Sequence, residues 1–119
     1  MPIALFDSVS MGLARALSLH HQRHELLAAN IANIETPGYR ARDLEFKDAL
    51  SAAFESGEVD LEDGRVIDKP SGAARPDGNT VDVDMEMARL ADNRVSYTTF
   101  AEILTRRLAS LKRVIENNS

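Results

Sequence analysis

The sequence predicts a mainly α fold: long N- and C-terminal helices packed as a coiled-coil-like hairpin, with a short irregular or β-hairpin middle segment between them. Three observations predict it. Apolar residues recur at alternating steps of four and three near both ends of the 119-residue chain, the pattern of a helix seam. Acidity is concentrated between those ends: residues 35–82 hold twelve acidic and six basic side chains, whereas residues 8–34 hold two Arg and one Glu. The hydrophobic share is 44% but aromatics supply only 5%, so the chain can bury helical stripes more readily than it can fill a thick core.

The first element reads as a helix whose seam is Leu13, Leu17, His20, His24, Leu27, Ile31 and Ile34. Asp7, Ser8 or Ser10 can supply the N-cap oxygen, and Gly12 is the weak residue within it. From Ser8 to Asn33 such a helix is about 39 Å long at about 1.5 Å per residue. Pro37 disfavours a helical Thr36, so the helix must stop just before it. Pro37-Gly38 suits the two central positions of a type II turn, where Gly supplies positive φ. Asn30 and Asn33 fall in the last helical turn, where their amides can meet open carbonyls or a neighbour's backbone. Tyr39 adds an aromatic anchor with a polar tip beyond the turn.

The middle is weaker in pattern. "ARDLEFKDALSAAF" fits either a short helix using Leu44, Leu50 and Phe54 or an extended arm. "GEVDLEDGRVIDKP" reads as a β-hairpin, with Val59 and Leu61 alternating, Asp63-Gly64 at the turn and Val66 returning. A lone hairpin is marginal in water, so this region needs neighbours or stays mobile.

The last element repeats the helical pattern over a greater length. Val83, Met87, Leu90, Arg94, Tyr97, Ala101, Leu104, Leu108, Leu111 and Ile115 keep the seam, while Phe100, Ile103 and Val114 widen it. Asn79, Thr80 and Asp82 are N-cap choices, and Asp84 and Glu86 complement the positive helix end. Arg106, Arg107, Lys112 and Arg113 lie toward the other end, where the dipole favours cations. The expected organisation is one unit: 1–36 as N-terminal helix, 37–82 as turn and variable middle segment, and 83–119 as C-terminal helix.

Composition also excludes function classes. A net charge of −5 argues against general affinity for nucleic acid or anionic membranes. The absence of cysteine removes disulfides, Cys-based zinc sites and thiol nucleophiles. No run approaches the roughly 20 apolar residues of a spanning helix, and "MPIALFDSVSMG" lacks the basic start of a secretory signal. The expectation is a cytosolic protein, or one that leaves without a cleaved signal. His20 and His24 share a helical face, but no Glu follows the first His and a third ligand would have to come from elsewhere, so polar seam residues describe them better. "DGNTVDVDME" fails the Ca²⁺ loop pattern, with Val81 at its fifth position and Asp82 where Gly is required. No phosphate loop or G-x-S-x-G elbow is present, so catalysis has little to stand on.

Two helices packed as a hairpin cover one face of each, and the widened second stripe would remain partly exposed. Packing against other chains is therefore expected, with the hairpin as the unit added. A self-contained coiled-coil adaptor or regulator binding one partner helix is the alternative. An adaptor should melt cooperatively as a monomer or dimer, whereas an assembly subunit should be only partly ordered in isolation.

The stretch "RHELLAANIANIETPGYRARDLEF", Arg23 to Phe46, resembles the N-terminal signature of the flagellar axial proteins of the rod and hook. "DGNTVDVDMEMARLADNRVSYTTFAEILTRRLASLKRVI", Asp77 to Ile115, resembles the C-terminal segment of the same family. The resemblance implies a non-enzymatic structural subunit without a cofactor, residing in the periplasmic rod of the flagellar basal body. It implies as partners other copies of the chain, rod proteins such as FlgC, the adaptor FliE and the flagellar export apparatus, with no nucleic acid and no membrane insertion. Export by the flagellar type III route without a cleaved signal is part of that expectation. Asn30, Asn33, Thr36, Pro37, Gly38 and Tyr39 match the family motif position by position and would form the assembly corner. The helix-packing interface would comprise Leu13, Leu17, Leu27, Ile31 and Ile34 of the first seam, with Val83, Met87, Leu90, Tyr97, Leu104, Leu108, Leu111 and Ile115 of the second.

Overall fold

Apolar periodicity near the two ends becomes two antiparallel helices in the computed structural model, which describes residues 8–55 and 64–117. In chain order the elements are α1 (Ser8–Ala32), β1 (Arg42–Leu44), α2 (Phe46–Glu55), β2 (Val66–Asp68) and α3 (Val83–Asn117). α1 and α3 form the hairpin, tied at successive levels by Asn30 to Glu86, His20 to Asn93 and Ser10 to Arg107. The molecule is a rod of 67 × 23 × 16 Å. α3 continues past Arg107 to Asn117, about 15 Å at about 1.5 Å per residue.

Local chemistry sets the helix ends. The Asp82 carboxylate caps α3, its Oδ1 accepting from the backbone N–H of Asp84 at 2.9 Å and of Met85 at 3.2 Å. At the end of α1, the Asn33 side chain donates to the Ala29 carbonyl at 2.8 Å, beside the Asn33 backbone N–H that reaches the same oxygen at 3.1 Å. Asp7, one of the expected caps of α1, lies outside the described residues.

The segment that fitted either a short helix or an extended arm uses both. Arg42–Leu44 is a strand, and Phe46–Glu55 is a helix that starts once Glu45 has bonded across to Arg65. β2 returns at Val66, but among the described residues its partner is β1 rather than the expected arm through Val59 and Leu61. The register is Arg42 with Asp68, Asp43 with Ile67 and Leu44 with Val66, antiparallel. Val59, Leu61 and Asp63 of the expected hairpin lie outside the described residues. The physical reason for this pairing is support: β1 is anchored to α1, and an anchored strand makes a better template than a free arm.

The core is small. Leu19 of α1, Leu44 of β1 and Ala53 of α2 are buried together, with Leu26, Phe46 and Ala49 packed against them. Full burial of a leucine contributes about 1.5–3 kcal/mol, so a handful of such residues holds α2 and the sheet onto α1. Close approach depends on Gly12, where a Cβ would stand 2.5 Å from a ring carbon of Phe54. The residue that weakens α1 locally is thus the one that admits α2.

α3 meets α1 along a line that differs from its expected apolar seam. The residues of α3 that are buried are Glu86 and Asn93, while Val83, Met87, Tyr97, Leu108 and Ile115 are exposed and Leu90, Leu104 and Leu111 are half-buried. Hydrogen-bonding complementarity decides the face: α1 presents Asn30 and His20 inward, and only polar partners can satisfy them there.

Candidate functional site

The corner after α1 is held by amide side chains. Asn30 is fully buried and uses all four of its hydrogen-bonding positions. Its Nδ2 donates to the Arg42 carbonyl at 2.7 Å and to Glu86 Oε2 at 2.9 Å, while its Oδ1 accepts from Arg42 N–H at 3.0 Å and from the Tyr39 hydroxyl at 3.2 Å. The amide pairs with the backbone of β1 as a neighbouring strand would, so it seals that edge of the two-stranded sheet. Glu86, also fully buried, receives Arg89 on its other oxygen at 3.1 Å. Arg89 neutralises a carboxylate that would otherwise be costly to bury.

Asn79, from the segment before α3, closes the corner from the opposite side. Its Nδ2 is shared among the carbonyls of Asn33, Ile34 and Thr36 at 2.9–3.0 Å, and its Oδ1 accepts from Val81 N–H at 2.8 Å. The Arg75 guanidinium also donates to the Ile34 carbonyl. Carbonyls just beyond the end of one terminal helix are thus bonded by the approach to the other.

Between these amides the chain turns at Pro37-Gly38. Tyr39 N–H donates to the Thr36 carbonyl at 3.2 Å, and Gly38 takes φ +75°. Gly38 N–H donates to the Asp77 carbonyl at 2.8 Å, and Gly78, with φ +86°, lies beside it. Thr36, Pro37 and Gly38 are exposed at this tip, whereas Asn33 and Tyr39 are half-buried. A Cβ on Gly38 would meet nothing within 4 Å, so any penalty there comes from the backbone conformation alone. Gly38→Val is expected to lower stability by about 1–2 kcal/mol or more, and Gly38→Asn by much less, because Asn tolerates positive φ. Urea denaturation of the two variants checks this; equal stability of Gly38→Val and wild type would contradict it.

Halfway along the hairpin lies His20, 2% exposed and flanked by Phe46 and Phe100 at ring-centroid distances of 4.4 and 5.4 Å. Asn93 Nδ2 donates to the His20 carbonyl at 2.8 Å, which leaves Asn93 Oδ1 to accept from His20 Nδ1 at 2.7 Å. Burial pulls the His20 pKa below the ordinary histidine value, opposed by the Asn93 hydrogen bond. Nearby, Arg23 grips the buried Asp43 of β1 through two nitrogens at 2.9 and 3.2 Å and lies 5.5 Å from the Phe46 ring centroid. His24 is exposed on the α1 surface, and among the described residues no three His, Asp or Glu groups converge as metal ligands.

The second surface is the exposed apolar flank of α3. Met87 is 56% exposed, Tyr97 41%, Leu108 38% and Ile115 52%, and Ile103 and Val114 are exposed on the other flank of the helix. A shallow groove of about 350 Å³ runs between Tyr97, Thr98, Ala101, Glu102, Thr105 and Arg106. Of the first seam, Leu13 and Leu27 are buried and Leu17, Ile31 and Ile34 are half-buried. The structure therefore separates the predicted positions into an inner set on α1 and a largely outward set on α3. Among the described residues no helix is long and apolar enough to cross a membrane.

Sequence reasoning missed the roles of Glu86, Asn93, Asn79 and the Arg23–Asp43 pair. One signal was available: Glu86, Asn93, Phe100 and Arg107 follow one another at steps of seven, a second line beside the apolar stripe. No periodicity announces Asn79 or Asp43, whose partners lie far away along the chain.

The sequence profile of the family described as Flagella basal body rod protein matches residues 13–40, which contain most of α1 and the corner. The chain is 36% identical to the flagellar basal body rod protein FlgB of Salmonella typhimurium, over 87% of this chain and 90% of that relative. It is 35% identical to FlgB of Proteus mirabilis, over 85% of this chain and 88% of the relative, and 34% identical to FlgB of Escherichia coli K12, over 87% and 90%.

Proposed function

Because the chain belongs to the FlgB family of flagellar basal body rod proteins, and is thus a structural component of the rod, we propose that it adds to the shaft through the exposed apolar flank of α3. The observation that carries this reading is the row Met87, Tyr97, Leu108 and Ile115, apolar and exposed along one long helix whose fully buried residues are the polar Glu86 and Asn93. An exposed apolar stripe of this length is a packing surface that one hairpin leaves uncovered.

On this reading α1 and the covered side of α3 hold the subunit together, and the exposed apolar flank of α3 meets neighbouring subunits. Contacts of this kind are heterologous, so they propagate as a helical array and surround a channel rather than closing into a dimer. Torque is shared by many such contacts in parallel. The corner motif, Asn30 to Tyr39, fixes the angle at which the sheet and α2 leave the hairpin, with Thr36, Pro37 and Gly38 offered at the exposed tip. Neighbours of the appropriate kind are other copies of the chain, FlgC-type rod proteins and the adaptor FliE. Delivery is through the flagellar export apparatus, as an unfolded chain without a cleaved signal.

Deletion of the gene in its native host tests the reading. The expected result is a non-motile strain without rods, rescued by the wild-type gene, with the chain recovered in purified basal bodies. A deletion strain with normal rods and swimming would overturn it.

A further inference from the structure

We propose that the point where α1, α2 and α3 meet around His20 is an acid-opened joint: protonation of this one ring undocks α2 and loosens the α1–α3 contact beside it. Geometry carries the inference. The Asn93 amide donates to the His20 carbonyl and accepts from Nδ1, so the ring is held as the neutral Nδ1–H tautomer. Nε2 is buried and has no hydrogen-bond partner among the described residues. A proton added there creates a charged donor with nothing to receive it, between the rings of Phe46 from α2 and Phe100 from α3. The ring can escape only by leaving one of those neighbours.

The charges around it favour the neutral form on balance. On α1, Arg23 opposes a second cation, although Asp43 of β1 pairs with it. On α3, Asp92 favours the cation from an exposed position, and Arg94 lines the adjoining groove with His21 and His24 of α1. From α2 the contact is the uncharged Phe46. That groove, about 380 Å³ and lined also by Asn93 and Tyr97, brings solvent to the edge of the joint.

The sign follows from the lowered folded-state pKa. Above the unfolded value of about 6.5 the ring is neutral in both states and the contribution to stability is complete. As pH falls below it, the open state binds the proton first and stability is lost until the folded pKa is passed. One proton with an unfolded pKa of about 6.5, read at pH 5.5, limits the loss to about tenfold in the opening equilibrium.

Hydrogen exchange of the full chain at pH 7.5 and 5.5, corrected for intrinsic rates, tests this. The α2 amides are expected to lose protection on acidification, by up to about tenfold. His20→Phe should abolish the loss, and His24→Gln should keep it. Equal protection at the two pH values, persistence of the loss in His20→Phe, or unprotected α2 amides at pH 7.5 would each overturn the proposal. Should His20→Phe fail to fold, NMR titration of the His20 ring in the wild-type chain decides: a value below about 6.5 supports the joint and a value at or above it overturns it.

Discussion

Asn30→Ala is expected to lower the unfolding free energy by about 3–5 kcal/mol, a large fraction of what a domain of this size possesses. Four bonds disappear together, and the groups left behind differ in how easily water reaches them. Glu86 Oε2 loses a donor in a fully buried position, which is the most damaging loss because its charge stays in place. The Arg42 N–H and carbonyl lose the amide that sealed the edge of β1, and the Tyr39 hydroxyl loses its acceptor. A thermal melt should move down by about 10 °C or more. Asn30→Asp should be at least as harmful at neutral pH, since it sets a second carboxylate against Glu86 in a dry site. A destabilisation below about 1 kcal/mol for Asn30→Ala would mean that the corner is held by the Asn79 side alone.

Leu108→Asp is expected to act oppositely: little change in the isolated subunit, and loss of incorporation into basal bodies. Leu108 is 38% exposed, so a carboxylate there can remain hydrated while the chain is alone, and the cost to folding should stay within about 1 kcal/mol. Between subunits the same carboxylate would be stripped of water without a partner. Leu104→Asp, at a half-buried position one turn away, should damage both folding and incorporation. The pair separates surface from core. Circular dichroism of the purified chains reports folding, and immunoblots of basal bodies with swimming assays report assembly. Normal recovery of Leu108→Asp in basal bodies would remove the apolar flank of α3 from the list of interfaces.

Much of the architecture was legible because it rests on local signals. Leu13, Leu27 and the apolar steps of α3 announce helices through side-chain spacing, and Pro37-Gly38 announces where α1 must stop through backbone sterics. Asp82 was among the legible caps because capping acts over three residues. The sheet was half legible: Val66 was placed in a strand, but its pairing with Leu44 depends on contacts distant in sequence. At the corner, the motif from Asn30 to Tyr39 was visible as a helix stop. Its true partners, Glu86 and Asn79, were not, because nothing in the spacing of Asn30 says which distant group its amide will meet.

By itself the sequence determined two long terminal helices, the corner that ends the first, and an apolar excess on the second that one hairpin leaves uncovered. Those properties are set by periodicity, turn chemistry and composition, which act over a few residues. Only the tertiary structure decided which side of α3 faces α1. Burying Asn30 and His20 on α1 requires polar partners at matching heights, Glu86 and Asn93 supply them, and that match leaves Met87, Leu108 and Ile115 exposed.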